Sequence, residues 1–280
     1  MGESDITAVV VPQYPIYIPS KGRADRCHTA EWMLREGLSF YIVVEESEQD
    51  AYIEAYGAES VLVLPQAEIE AYKEQWIQKR GYSLYNLPFS RSFCKRHAEE
   101  HNWKWHWQID DNIRGLKRVS KGKTSAYSTS KAFTEVENFC DRYSNLGAAG
   151  IRHVNFASGQ TKPMLLNHQV YCCILVLSNT PAYWRNCTIE DTDFSLQLLS
   201  QGYCTILFNA FCILKEATMT SPGGCSDSSY QGDGRVRAAR SLAREWPGIL
   251  NSIKRKHGRP RILLKNIWSK YPNRLLPTQQ

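Results

Sequence analysis

No stretch of this chain approaches the ~20 consecutive apolar residues that a bilayer-spanning helix requires, so membrane insertion is not expected. Cys-x-x-Cys is missing too. The nine cysteines are scattered, with Cys172 and Cys173 adjacent, and outline neither a zinc nor a redox centre. They read as reduced, mostly buried small hydrophobes. Without Gly-x-x-x-x-Gly-Lys or Gly-x-Gly-x-x-Gly, the chain has neither a Walker loop nor a dinucleotide fingerprint. Gly-x-Ser-x-Gly is absent, which argues against serine hydrolase chemistry. Met1 to Asp5 is polar and acidic, unlike a signal peptide, and the expected compartment is the cytoplasm. Internal repeats and long low-complexity tracts are also lacking. Cys94, His97 and His101 fall at helical spacing, but no fourth ligand is evident and Lys95, Arg96, Glu99 and Glu100 make that helix an ordinary charged face, not a zinc site.

What is present fits a globular protein. The 280 residues suffice for a substantial core, and 42% hydrophobic and 22% charged residues are ordinary values. The net charge of +6 hides an asymmetry: from Arg235 to Gln280 there are twelve Lys or Arg against Glu245 alone, so this segment carries +11 and the remainder −5. A basic end on a mildly acidic body points to a polyanionic partner, because Lys and Arg gain affinity by releasing counterions from phosphate. The plainer reading is a generic solvated surface. Arg235, Arg237, Lys254, Arg255, Lys256, Arg259 and Arg261 are the candidate nucleic-acid contacts. Trp246, Trp268 and Tyr271 lie among these charges, to stack on bases or to anchor the segment. The expected division is 1–234 for the folded domain and 235–280 for a basic helical segment packed on it or extending it.

Strand and helix signals alternate along the body. Tyr14 to Pro19 reads as a strand ended by the turn Ser20-Lys21-Gly22-Arg23, with Asp25 as N-cap of a helix that Gly37 closes. Leu38 to Val44 is a nearly continuous apolar run, typical of a buried parallel strand, and it ends in Glu45-Glu46. A helix through Tyr52 and Tyr56, a strand Val61 to Leu64 and a helix opened by Pro88 and Ser90 follow. Ser120 to Ser130 is polar enough to read as a surface loop. Phe133 to Tyr143 is an amphipathic helix and Gln169 to Leu177 a strand; a helix runs through Phe194 and Leu198 to Gly202, with strands at Cys204 to Phe208 and Phe211 to Leu214. Ser221 to Gly234 is glycine-rich and reads as a mobile loop. Such alternation predicts an α/β layered fold.

Two acidic clusters interrupt this pattern. Trp103, Trp105, Trp107 and Ile109 alternate with Lys104, His106 and Gln108, the period of a strand. Asp110-Asp111-Asn112 therefore falls at a strand's C-terminal end, where open α/β sheets bind ligands. Hard oxygens at this spacing suit Mg²⁺ or Mn²⁺ and, through it, a diphosphate, with Asp110 and Asn112 on one side and Asp111 elsewhere. The competing reading is that Asp111 or Asn112 caps a helix beginning near Ile113. In the second cluster, Glu190-Asp191-x-Asp193, the carboxylates favour a helix N-terminus, and one can also accept a proton from a hydroxyl. Lys21, Arg23 and Arg91 are suited to neutralise a diphosphate, and the Ser20 to Arg23 turn offers backbone amides to an anion.

In this order, Ile18-Pro19-Ser20-Lys21-Gly22-Arg23, Val44-Glu45, Arg91-Ser92, Ile109-Asp110-Asp111-Asn112 and Ile189-Glu190-Asp191 resemble the landmarks of a GT-A glycosyltransferase. More narrowly, the Ile-Pro-Ser-Lys-Gly-Arg opening, the Asp-Asp-Asn-Ile core and the Glu-Asp-Thr-Asp-Phe stretch resemble the TET-associated glycosyltransferases of bacteriophages, over roughly Ile16 to Gly224. The resemblance implies a GT-A-like, Rossmann-type mixed and mostly parallel sheet flanked by helices. It also implies transfer of a sugar, from a UDP-sugar with Mn²⁺ or Mg²⁺, to 5-hydroxymethylcytosine in DNA. Carried to this chain, Pro19, Ser20, Lys21, Arg23, Glu45, Arg91 and Asp111 would bind the donor and Asp110 and Asn112 the metal. Asp191 would deprotonate the acceptor for an inverting displacement, with Glu190 beside it. GT-A enzymes often place a further histidine ligand near the end of the fold. Phe211 to Glu216 holds none, and Lys215 is there to touch the diphosphate instead. Phage origin would make the compartment the host cytoplasm. Two other readings stay open, a transferase acting on a protein or glycan, and a DNA-binding module with a decayed transferase core.

Overall fold

Trp105, Trp107 and Ile109 alternate with His106 and Gln108 along one strand, yet all five are fully buried, so that strand is covered on both faces. Its surroundings are given by a computed structural model, which describes residues 11–80, 86–156, 162–187, 189–215, 234–247, 253–256, 259–262 and 267–279. In chain order the elements are β1 (Ile16–Pro19), α1 (His28–Arg35), β2 (Tyr41–Glu45), α2 (Gln49–Tyr56), β3 (Val61–Leu64), α3 (Gln66–Arg80), α4 (Leu87–Glu100), β4 (Trp105–Ile109), β5 (Ile113–Ser120), β6 (Lys123–Ala126) and α5 (Thr129–Cys140). There follow β7 (Leu146–His153), β8 (Met164–Leu166), β9 (Cys173–Leu177), α6 (Glu190–Ser200), β10 (Cys204–Lys215), α7 (Gly234–Glu245), β11 (Ile253–Lys256) and β12 (Arg259–Ile262).

Among the described residues ten strands form one open mixed sheet in the order β3-β2-β1-β4-β9-β7-β10-β5-β6, with β8 also on β10. The half made of β3, β2, β1 and β4 is parallel, as its apolar runs and helical crossovers require. Antiparallel β9 joins it to the parallel pair β7 and β10. On one face Trp32 of α1 and Phe133 of α5 pack with Trp107, whose ring stacks on Phe133 at 4.2 Å between centroids. On the other face, Ile69 of α3 and Phe89, Cys94 and Ala98 of α4 meet Tyr17, Val43 and Leu64. Phe194 and Leu198 of α6 cover Ile174 and Val176 there. This is the expected α/β, Rossmann-like architecture. Among the described residues no helix is long and apolar enough to cross a membrane.

Several local expectations change. Ser120 to Ser130 is not simply a loop, because β5 and β6 form a hairpin turned by Lys121 (φ +49°) and Gly122 (φ +75°). Its polar side chains are exposed on the sheet's edge, so the hydrophobic alternation of a strand is missing. The helix α1 starts at His28 with Cys27 at the cap position and no side-chain cap, so Asp25 does not cap it. Cys204 to Lys215 is one strand, irregular in its pairing with β7 between Phe208 and Cys212. Strand β7, at the centre of the sheet, carries Gly147-Ala148-Ala149-Gly150 and so gives no apolar strand signal.

The segment 235–280, expected to be helical, holds α7, the antiparallel ladder of β11 and β12, and an extended run reaching Thr278. Helix α7 buries Ser241 and Leu242, and Trp246 just beyond it donates to Asp193 Oδ1 at 2.7 Å. Further on, Asn273 donates to the carbonyls of Leu199 and Tyr203, and Leu276 accepts from the Ser144 amide. Ser221 to Asp233 lies outside the described residues.

Candidate active site

Asp110, Asp111 and Asn112 form the corner between β4 and β5, so they cap no helix. Thr29 of α1 fixes this corner. Its hydroxyl donates to the Asp110 carbonyl (2.5 Å) and accepts from the Ile113 amide (2.9 Å), while its own amide donates to the Asp111 carbonyl. From the other side the Asp110 amide donates to the Cys172 carbonyl at 2.7 Å. Backbone groups of a buried corner need such partners, and here two distant segments supply them.

The two carboxylates diverge. Asp111 pairs with the Arg23 guanidinium and accepts from Ser20 Oγ at 2.9 Å. Burial raises its pKa, against the opposing pull of Arg23 and Ser20. Asp110 accepts from Arg91 Nη2 on Oδ1 (2.8 Å) and from Lys215 Nζ on Oδ2 (2.5 Å). Burial alone would raise its carboxyl, but Lys215 and Arg91 outweigh it and hold the pKa down to about 2. Burial works against the Lys215 ammonium, and the Asp110 carboxylate more than compensates, holding its pKa up.

Arg91 is the hub. Its side chain is only 3% exposed, which a guanidinium tolerates only with partners. Besides Asp110 it meets Glu190 Oε1 at 3.6 Å from Nε and Gln108 Oε1 at 3.3 Å from Nη1, and it lies 5.0 Å from the Trp184 ring centre. The fields of Asp110, Glu190 and Asp191 all act on it. The second acidic cluster, at the start of α6, is thereby brought to the first. Asp191 Oδ1 accepts from the Thr192 amide at 2.6 Å, and Oδ2 from Gln169 Nε2 at 3.1 Å. Burial raises the Asp191 pKa and Asp110 adds to it, against the pull of the Thr192 amide and Arg91. A carboxylate with raised proton affinity, held by two donors, is suited to accept a proton.

The turn after Pro19 forms the adjoining wall. Tyr52 of α2 meets both Ser20 Oγ (2.7 Å) and the Arg23 amide (3.0 Å). Lys21 pairs with Glu45 at 2.7 Å, and Asn86 donates to the same carboxylate oxygen at 2.7 Å. Gly22, at φ +67°, donates its amide to Glu48. Pro19, Ser20, Arg23 and Asp111 thus stand together, with Lys21 and Glu45 bonded to each other nearby.

A divalent ion was expected between Asp110 and Asn112. Both Asp110 oxygens instead carry a cationic donor, and Asp111 faces Arg23. The end of β10 supplies Lys215 where a ligand would be needed. The remaining oxygen, Asn112 Oδ1, is buried and without a hydrogen-bond partner among the described residues. It is neutral and accepts a hydroxyl as well as it ligates an ion. Among the described residues no three His, Cys, Asp or Glu cluster as metal ligands. Hard divalent ions favour several oxygens, often charged ones, and an ion on Asp110 would face the Lys215 ammonium. This set of side chains does not fit a metal.

The sequence left several contributors unseen: Thr29, Tyr52, Asn86, Gln169, Cys172 and Trp184. Gln169 and Cys172 lie just ahead of β9, and no local pattern distinguishes them. Asp193 takes no part in the cluster around Arg91. It is fully buried with Arg185, Gln197 and Trp246 and anchors α7. The side chains of Arg235, Arg237, Lys254, Arg255, Lys256, Arg259 and Arg261 lie outside the described residues. Lys254 and Arg261 are paired across β11 and β12, as are Lys256 and Arg259.

Among known protein families, the one described as TET-Associated Glycosyltransferase matches residues 14–224, about three quarters of the chain. No curated protein matches it.

Proposed function

This chain belongs to the TET-associated glycosyltransferase family, and on that premise we propose that it transfers a sugar from a nucleotide-sugar donor to the hydroxymethyl group of 5-hydroxymethylcytosine in DNA. The observation that carries this reading is the approach of Asp191 to Asp110 around Arg91, which joins a candidate base to the corner at the end of β4.

The donor's diphosphate lies toward Lys215 and the turn bearing Lys21 and Arg23, with Asp111 and Glu45 on the nucleoside or sugar side. UDP-sugars are the first donors to test. Asp191 takes the proton of the acceptor hydroxyl as that oxygen attacks the anomeric carbon. The bond from that carbon to the diphosphate breaks in the same step and its electron pair leaves with the nucleotide. A single in-line displacement inverts the anomeric configuration. Gln169 and the Thr192 amide hold the base in position, and Arg91 keeps three neighbouring carboxylates from repelling one another. The basic segment from Arg235 to Gln280 supplies a sequence-independent hold on DNA phosphates.

The test is mass spectrometry of nucleosides from hydroxymethylated DNA incubated with a panel of UDP-sugars. A mass increase of one hexose on the modified cytidine, absent with unmodified DNA and absent for Asp191→Asn, is the expected result. No increase with any sugar, or near-normal product from the variant, overturns the reading or removes Asp191 from it. Transfer to long DNA is further expected to weaken steeply with salt while donor hydrolysis does not.

A further inference from the structure

Lys215 reaches this corner through two irregularities of the backbone. Strand β10 runs antiparallel to β5 with Lys215 opposite Ile113, the residue after Asn112, and the register slips between Leu214 and Lys215. A bulge bends its strand and re-aims a side chain, here onto Asp110 Oδ2 and, at 3.1 Å, onto Cys172 Sγ. Cys172 in turn holds φ +64°, a left-handed conformation that costs a non-glycine residue energy and recurs at functional sites. Two unusual backbone positions therefore converge on one ammonium.

Arg91 also pairs with Asp110 but is shared with Glu190 and Asp191, so Lys215 carries much of the neutralisation of Asp110. Its side chain is only 12% exposed, so each N–H of the buried ammonium calls for a partner. An ammonium has three N–H donors. Among the described residues two have partners, Asp110 and Cys172, which leaves one for a ligand.

We propose that Lys215 is the cation that meets the donor's diphosphate at this corner, in the place of a divalent ion, so that nucleotide binding and transfer need neither Mg²⁺ nor Mn²⁺. The inference rests on the reading of the cleft as a nucleotide-sugar site. When the bond from the anomeric carbon to the diphosphate breaks, the electron pair stays on the departing oxygen, where the Lys215 N–H stabilises it. The acceptor's proton goes to Asp191, so no further reactant is needed.

The experiment is calorimetric titration of the full chain with UDP, GDP and ADP, in excess EDTA and again in Mn²⁺. Wild-type protein is expected to bind one of them with the same affinity in both buffers. Lys215→Met is expected to weaken that binding roughly 10- to 100-fold in both, the loss of one charge-assisted hydrogen bond. Lys215→Arg, which keeps the cation, is expected to retain binding in EDTA. Binding by wild type only in Mn²⁺, unchanged affinity in Lys215→Met, or no binding of any of the three in either buffer overturns the proposal. The wild-type comparison holds even if the Met variant does not fold. If nucleotide binds in EDTA but no sugar reaches hydroxymethylated DNA, the acceptor assignment fails and the role of Lys215 stands.

Discussion

Replacing Arg91 with Met removes the charge at the centre of the acidic cluster while keeping a side chain of similar length. Its consequence can be worked from the geometry. Asp110 has its carboxyl held at about 2 against an ordinary 3.8, and at ~1.4 kcal/mol per pH unit this is worth on the order of 2 kcal/mol. Because the folded value is depressed, that stability is fully present above pH 3.8 and is lost as pH falls through 2. Lys215 contributes more of it than Arg91 does, so Arg91→Met forfeits only a part through Asp110. The variant also removes the Arg91 contact of Glu190 and a favourable field on Asp191. Removing one partner of a buried charge cluster typically costs about 3–5 kcal/mol, and that is the loss expected at pH 7. Lowering the pH to about 5 should recover at least ~1 kcal/mol of it, as the carboxylates that lose the Arg91 charge take up protons. Urea unfolding followed by tryptophan fluorescence at the two pH values reads both quantities. A loss that is the same at both, or smaller than ~1 kcal/mol at pH 7, would show that packing against Trp184 is the role of Arg91 and refute the electrostatic account.

Asp191→Asn is expected to reduce transfer by about 10²- to 10⁴-fold, the usual span for losing a general base. It should also make the protein more stable at neutral pH, since a group with a raised folded pKa favours the fold only below its ordinary range and loses that contribution as pH rises through the raised value. Reduced stability of this variant in thermal unfolding would contradict the assignment. Wild-type transfer should fall as pH is lowered through the raised Asp191 value, and Arg91→Lys, with its looser pairing, should move that limb upward in a pH–rate profile. Burial, with a smaller effect of Lys95, depresses the His106 pKa to about 3. Stability should therefore fall as pH drops below 6.5, by about 2 kcal/mol at pH 5, and His106→Gln should flatten that limb in urea titrations. Gly150→Ala places a Cβ 3.0 Å from Val170 Cβ and 3.3 Å from its Cα, and is expected to cost about 1–3 kcal/mol in the same assay.

The parallel half of the fold was legible because β1 and β2 are short apolar runs and β4 alternates aromatic with polar residues, each giving way to polar residues, as at Ser20, Glu45 and Asp110. Strand β7 was not, because its small residues are chosen for closeness. A Cβ on Gly147 would sit 2.6 Å from Leu198 Cδ2, so the helix above leaves room for little more than backbone. The β5 and β6 hairpin hid behind its polarity, and α3, rich in Glu, Gln and Lys, behind a weak apolar stripe. The acidic clusters could be picked out, since both follow apolar segments and open new elements. Their partners could not: the meeting of Lys215 with Asp110 depends on a bulge and on the register of strands that pair across the sheet. Thr29 and Gln169 act through hydrogen bonds to distant segments that no spacing encodes. Asp193 shows the reverse, a carboxylate in the right cluster whose role is anchorage.

That anchorage ties two tasks together. Residue 191 and residue 193 share the first turn of α6, and Trp246 is hooked onto the latter, so the basic tail hangs from the very helix that carries the proposed proton acceptor. Pulling or cutting this tether should disturb chemistry even on a free nucleoside, which has no need of a grip on DNA. Shortening the chain ahead of residue 246 is consequently a poor way to separate holding the polymer from modifying it.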